Sequence, residues 1–205
     1  MIRPCIAWML LFPMVLNMAA CTHVRTPTFR DVRCEPPRVV AWAPLVGYSH
    51  RTVGFVKFGA PPHAAGAVDW LTRIYIEELM REGPFSTVKP IEARVSSGED
   101  AIRLGRTEQC DLVLMPSVVS LIESSGAMPT ELQVNVELVD VATSRLLIRI
   151  GQKAASEPGQ DVDLVWNIIE GQRALRAQQL ARILASQHAR LLTSAAVAAP
   201  FLGGK

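Results

Sequence analysis

Between Leu132 and Leu138 the chain alternates strictly: Leu132, Val134, Val136 and Leu138 against Gln133, Asn135 and Glu137. A period of two sends one set of side chains to each face of a strand, so this segment belongs to a sheet with one buried and one wetted face. That pattern indicates antiparallel neighbours. Ser124-Ser125-Gly126 turns into the strand, Asp140 to Ser144 turns out of it, and Arg145 to Lys153 returns. Just upstream, Asp111-Leu112-Val113-Leu114-Met115 is nearly all apolar, as expected of a central strand covered on both faces, with Pro116 marking a bulge or bend.

Helical periodicity brackets this meander. Leu71, Ile74, Tyr75, Leu79 and Met80 supply the apolar side of a helix over residues 67–82, stopped by Gly83-Pro84. Ser97 caps a second helix running to Gln109, with Glu99 and Asp100 complementing its dipole. A third is expected over 161–193 from Leu164, Ile168, Leu175, Ile183, Leu184 and Leu191, bent at Gly171. Val39 to Leu45 reads as a buried first strand, and Phe85 to Ile91 as an edge strand because Pro90 lacks a donor. Residues 46–66, rich in Gly and Pro, read as a loop whose Phe55, Val56 and Phe58 form a contact surface, the alternative being that they fold back as a local core. The order is β-α-β-α-β-β-β-α: an α/β (α+β) domain over 39–193, with one mixed sheet, helices packed on it, and a flexible tail at 194–205.

The first twenty residues fall outside this domain. Arg3 begins an apolar run from Cys5 to Met18, shorter than the roughly 20 residues that span a bilayer and broken by Pro13. Ala19-Ala20 closes it, a secretory-signal pattern. Leu16-Asn17-Met18-Ala19-Ala20-Cys21 resembles a bacterial lipobox, which implies cleavage before Cys21 and acylation of that residue; Met18 stands where Leu or Val is usual. Thr22 rather than Asp after the cysteine implies sorting to the outer membrane, facing the periplasm. Residues 22–38, with three prolines and four arginines, read as a polar tether between lipid and domain.

The tethered topology resembles periplasmic lipoproteins of the curli-secretion (CsgG), penicillin-binding-protein activator (LpoB) and Pel-polysaccharide export (PelC) group, whose folds are similar to the amino-terminal domain of TolB. The resemblance rests on Val39–Leu45, on Gly66–Gly83, on Cys110-Asp111-Leu112-Val113-Leu114, and on Asp140-Val141-Ala142-Thr143-Ser144, which looks like the group's Asp-x-x-Thr-Gly hairpin with Ser144 in place of glycine. These stretches are architectural. The long membrane-inserting hairpins of the curli channel have no counterpart, so the resemblance favours the accessory members.

No catalytic constellation is present: there is no Gly-x-Ser-x-Gly, phosphate loop or His-Glu-x-x-His. His50 and His63 share one loop without a third ligand at metal-site spacing, so no metal or cofactor is expected. Trp42 and Trp70 read as core aromatics rather than sugar platforms; Trp166, on an outer helix, reads as either. A net charge of +2 on 205 residues gives no reason to expect nucleic acid. Once Cys5 leaves with the signal and Cys21 is acylated, Cys34 and Cys110 remain. Each precedes an expected strand, and if those strands are parallel neighbours both thiols lie at one end of the sheet. A Cys34–Cys110 disulfide is therefore expected. The functional expectation is a lipid-anchored, non-enzymatic assembly or export factor that self-associates or joins an envelope machine; the alternative is an activator that binds a periplasmic cell-wall synthase.

Overall fold

The computed structural model describes residues 30–41, 47–95, 97–125, 127–164 and 166–197. The elements run β1 (Asp31–Cys34), β2 (Arg38–Ala41), β3 (Thr52–Val56), α1 (Val68–Glu82), β4 (Thr87–Ile91), α2 (Gly98–Thr107), β5 (Leu112–Ile122), β6 (Thr130–Asp140), β7 (Arg145–Glu157), β8 (Val162–Leu164), β9 (Asn167–Ile169) and α3 (Ala177–Val197). Seven strands form one mixed sheet in the order β1-β7-β6-β5-β3-β4, with β2 also pairing β7. β3, β4 and β5 are parallel, while β5, β6 and β7 form the antiparallel meander that the alternation predicts. A separate β8–β9 hairpin stands off the sheet.

The sheet is covered unequally. On one face Leu132, Val134, Val136, Leu138, Ile148 and Ile150 meet α1 and α3 in the main core. On the other, α2 lies over Val56, Ile91, Val113 and Val141. Charged side chains clamp α1 to α3: Glu77 pairs with Arg182 at 3.4 Å and Glu82 with Arg190 at 3.3 Å, while the buried Glu78 meets Arg81 and Arg182. The predicted ends of the first helix hold, with Gly83 in the left-handed conformation (φ +64°). Ser97 caps α2 as expected, its hydroxyl accepting from the Asp100 amide at 3.2 Å.

Four expectations are corrected. The segment read as a loop contains β3, a strand flanked by β4 and β5. Gly54 disguised it, yet Gly54 is what the site demands: a Cβ there would lie 2.6 Å from Ile91 Cδ1 and 3.0 Å from Cys110 Sγ. Second, the strand near Val39 is not buried but lies at the margin, pairing β7 alone among the described residues, with Val39 and Val40 exposed. Third, the tether's last part is structured: β1 extends the sheet beside β7. Fourth, the last helix starts at Ala177, because the strands Val162–Leu164 and Asn167–Ile169 pair as the β8–β9 hairpin instead. Pro116 itself stays in register with Val136, and the bulge falls between Val118 and Ser120. Pro90 lies in the edge strand β4, as predicted.

Candidate functional site

The residues singled out from sequence do not converge. Phe55, Val56 and Phe58 form no contact surface; all three are buried. Phe55 and Phe58 pack with Tyr75 of α1, ring centroids 6.5 and 5.0 Å from it, because β3 is an inner strand whose alternate faces meet α1 and α2. Cys34 and Cys110 are free thiols. Cys34 is level with Ala154, Leu132 and Leu121 across the sheet, whereas Cys110 precedes Leu112. Nine residues along a strand are about 30 Å, far beyond the ~7 Å that a disulfide can span between Cα atoms. The strand assumed beside Cys34 is antiparallel and three strands from β5, so the expected bridge is not made. Burial raises both thiol pKa values, with Lys89 opposing at Cys110 and a Gln187 hydrogen bond opposing at Cys34. Cys21 and Trp42 lie outside the described residues. His50 and His63 are exposed, and among the described residues no three His, Cys, Asp or Glu side chains group as metal ligands.

What does converge is one end of the sheet. Asp31 pairs Glu157, Val32 and Thr130 both pair Ser156, and Ile122 pairs Glu131. The start of β1, the β5–β6 connection and the end of β7 therefore meet at the carboxyl end of β5. The β8–β9 hairpin follows directly from β7. At this end Trp166 is 84% exposed, Met128 68%, Ile168 61% and Ile122 54%, with Ile169 also open. Large apolar side chains gathered at one end, without a partner, are the kind of exposure that marks an interaction surface.

Local chemistry holds the hairpin. Asp161 Oδ1 accepts the Gly171 amide at 2.7 Å, and the Gly159 amide donates to the Gln172 carbonyl at 2.8 Å. A Cβ on Gly171 would meet the Gly159 carbonyl oxygen at 2.2 Å, so only glycine closes this base. Ser156 anchors the other side, accepting the Leu175 amide at 3.0 Å ahead of α3. Between hairpin and β5–β6 connection lies a cleft of about 680 Å³, lined by Ser125, Ala127, Asp161, Ile168, Glu170 and Arg173 among others. Sequence reading missed this end because Leu164 and Ile168 fit a helical stripe. The signal against a helix was available: Pro158-Gly159 upstream, then Val162, Val165, Trp166, Ile168 and Ile169, a composition that favours strands. Among the described residues no helix is long and apolar enough to cross a membrane.

The fold defines the class: an α/β domain whose sheet begins with parallel strands and ends in an antiparallel meander. No family model and no curated protein matches the sequence. Among solved structures, the chain is similar to the PelC dodecamer of Paraburkholderia phytofirmans in two forms. One has 15% identity over 78% of this chain and 98% of that one, with a TM-score of 0.53. The other has 16% identity over 82% and 99%, with a TM-score of 0.51. The likeness is one of fold. The LpoB carboxyl-terminal domain from Salmonella enterica is more distant, at 14% identity, coverage of 50% and 81%, and a TM-score of 0.37.

Proposed function

We propose that this chain is a lipid-anchored, non-enzymatic accessory factor of the bacterial cell envelope, held at the periplasmic face of the outer membrane and acting as an oligomer. One observation carries the reading. The chain enters the domain at Arg30 and Asp31, at the same end of the sheet as Trp166, Met128, Ile168 and Ile122. If Cys21 bears lipid, the stretch to Arg30 reaches at most about 30 Å even when fully extended. An acyl anchor would then hold this apolar end against the bilayer. Tryptophan prefers the membrane–water interface, and an anchor combined with inserted side chains holds a protein more durably than either alone.

The remaining elements agree with an accessory role. The expectation of no catalytic constellation rests on the sequence; the dodecameric state of the PelC structures supports an oligomer built on a similar fold. Two experiments test the reading. Metabolic labelling with palmitate is expected to mark the chain and to be lost in Cys21→Ser. Brominated lipids in vesicles are expected to quench tryptophan fluorescence of the full chain, with most of the quenching lost in Trp166→Phe. Quenching unchanged by that substitution would sink the orientation. Native mass spectrometry in detergent is expected to give a closed oligomer, and a monomer would overturn that part.

A further inference from the structure

We propose that the cleft at the base of the β8–β9 hairpin holds a zwitterionic phosphoethanolamine headgroup, an assignment that rests on the membrane orientation above. The cleft of about 680 Å³ falls in the size range of small-molecule sites. It lies at the end of the sheet that carries Trp166, Ile168 and Ile169, and Ile168 lines it, so a lipid that meets those side chains brings its headgroup next to the cleft.

The charge set selects the ligand. Arg173, Glu170 and Asp161 line the cleft together. Asp161 Oδ1 accepts the Gly171 amide, and among the described residues its other carboxylate oxygen has no hydrogen-bond partner. Among the described residues no ion pair joins Arg173, Glu170 or Asp161 to a partner, in contrast to Arg33, Arg103 and Arg149, which sit within 2.7 Å of Asp31, Asp100 and Glu137. A purely anionic headgroup would gain one guanidinium and face two carboxylates. A purely cationic one would gain the carboxylates and face the guanidinium. A phosphate and an ammonium on one short linker satisfy both signs, the phosphate on Arg173 and the ammonium on Glu170 and Asp161, by charge-assisted hydrogen bonds. Ser125 lines the same cleft and is its neutral hydroxyl-bearing residue. Ile168 lines the same cleft and continues into the apolar surface.

The test is co-sedimentation of the full chain with vesicles of phosphatidylcholine alone, or with phosphatidylethanolamine or phosphatidylglycerol mixed in. Phosphatidylethanolamine is expected to tighten binding about three- to tenfold, the scale of two exposed charge pairs. Arg173→Gln and Glu170→Gln are expected to abolish the gain that phosphatidylethanolamine gives over phosphatidylcholine. Soluble glycerophosphoethanolamine at high concentration is expected to erase the gain, which separates headgroup recognition from looser lipid packing. Equal binding to all vesicles, a preference for phosphatidylglycerol, or a gain that survives both substitutions would overturn the assignment. Trp166→Ala reads the underlying orientation separately: it is expected to weaken binding to every vesicle, and a failure there sinks the orientation itself.

Discussion

The phenol of Tyr75 on α1 and Nδ1 of His188 on α3 lie 3.3 Å apart inside the core, with ring centroids 5.9 Å apart. Burial raises the Tyr75 pKa, so the phenol stays neutral beside Nδ1. Among the described residues, Nε2 of the same buried ring has no hydrogen-bond partner. The pair ties the two helices of the covered face at a polar point within an apolar layer.

This arrangement predicts acid sensitivity. Burial lowers the His188 pKa from 6.5 to about 4. Below 6.5 the unfolded chain takes up a proton that the folded chain refuses, so stability present at neutral pH falls as pH drops and is lost below about 4. The loss amounts to roughly 3 kcal/mol. Urea midpoints measured between pH 7 and pH 4 are expected to fall accordingly, and His188→Leu is expected to flatten the curve over that window. An unchanged slope in His188→Leu would assign the sensitivity elsewhere. Asp140 adds a second, more acidic limb: burial works against its charge, but hydrogen bonds from Thr143 and Tyr48 outweigh it and lower its pKa, so its contribution is lost below the normal carboxylate range.

The β6–β7 turn gives a stabilising substitution. Asp140 Oδ1 accepts the Thr143 amide at 2.8 Å, and Asp140 Oδ2 accepts the Tyr48 hydroxyl at 3.0 Å. Ser144 follows at φ +59°, a left-handed conformation that a Cβ disfavours. Ser144→Gly relieves that cost and loses only an exposed hydrogen bond from Arg106. A gain of about 1 kcal/mol is expected by chemical denaturation. Asp140→Ala is expected to lose about 2 kcal/mol, since it orphans the Tyr48 hydroxyl and the Thr143 amide among its donors.

Where periodicity was strong, the sequence sufficed: the 132–138 alternation, the first helix to Gly83, and the Ser97 cap all recur in the structure. It failed where one residue type served two purposes. Gly54 read as a loop former, although its task is to let β3 approach Ile91 and Cys110. Val39 and Val40 read as core, although as a margin strand they stay open. The candidate site was the least legible. It depends on β1, the β5–β6 connection and the β8–β9 hairpin meeting at one end, and only strand register reveals that.

Gly105 on α2 tests how closely that helix must sit. A Cβ there would stand 2.6 Å from Cγ2 of both Val113 and Val141. Alanine in a helix interior is favoured over glycine by about 1 kcal/mol, while overpacking a tight contact costs about 1–3 kcal/mol. Gly105→Ala is therefore expected to be destabilising by about 1–2 kcal/mol. A gain in stability would mean that α2 shifts outward without cost.

The two free thiols give the last prediction. With Cys34 and Cys110 held at opposite ends of the meander, no oxidant can join them without unfolding the sheet. Differential alkylation followed by peptide mass mapping is expected to find both residues as free thiols in oxidised protein after denaturation. Reductant is expected to leave the thermal midpoint unchanged. Cys110 is buried against β3 whereas Cys34 is half-exposed, so in the native state Cys34 is expected to react first. A peptide linking Cys34 to Cys110 would contradict the strand register itself, since the β1–β7 and β5–β6 pairings cannot both stand with those residues joined.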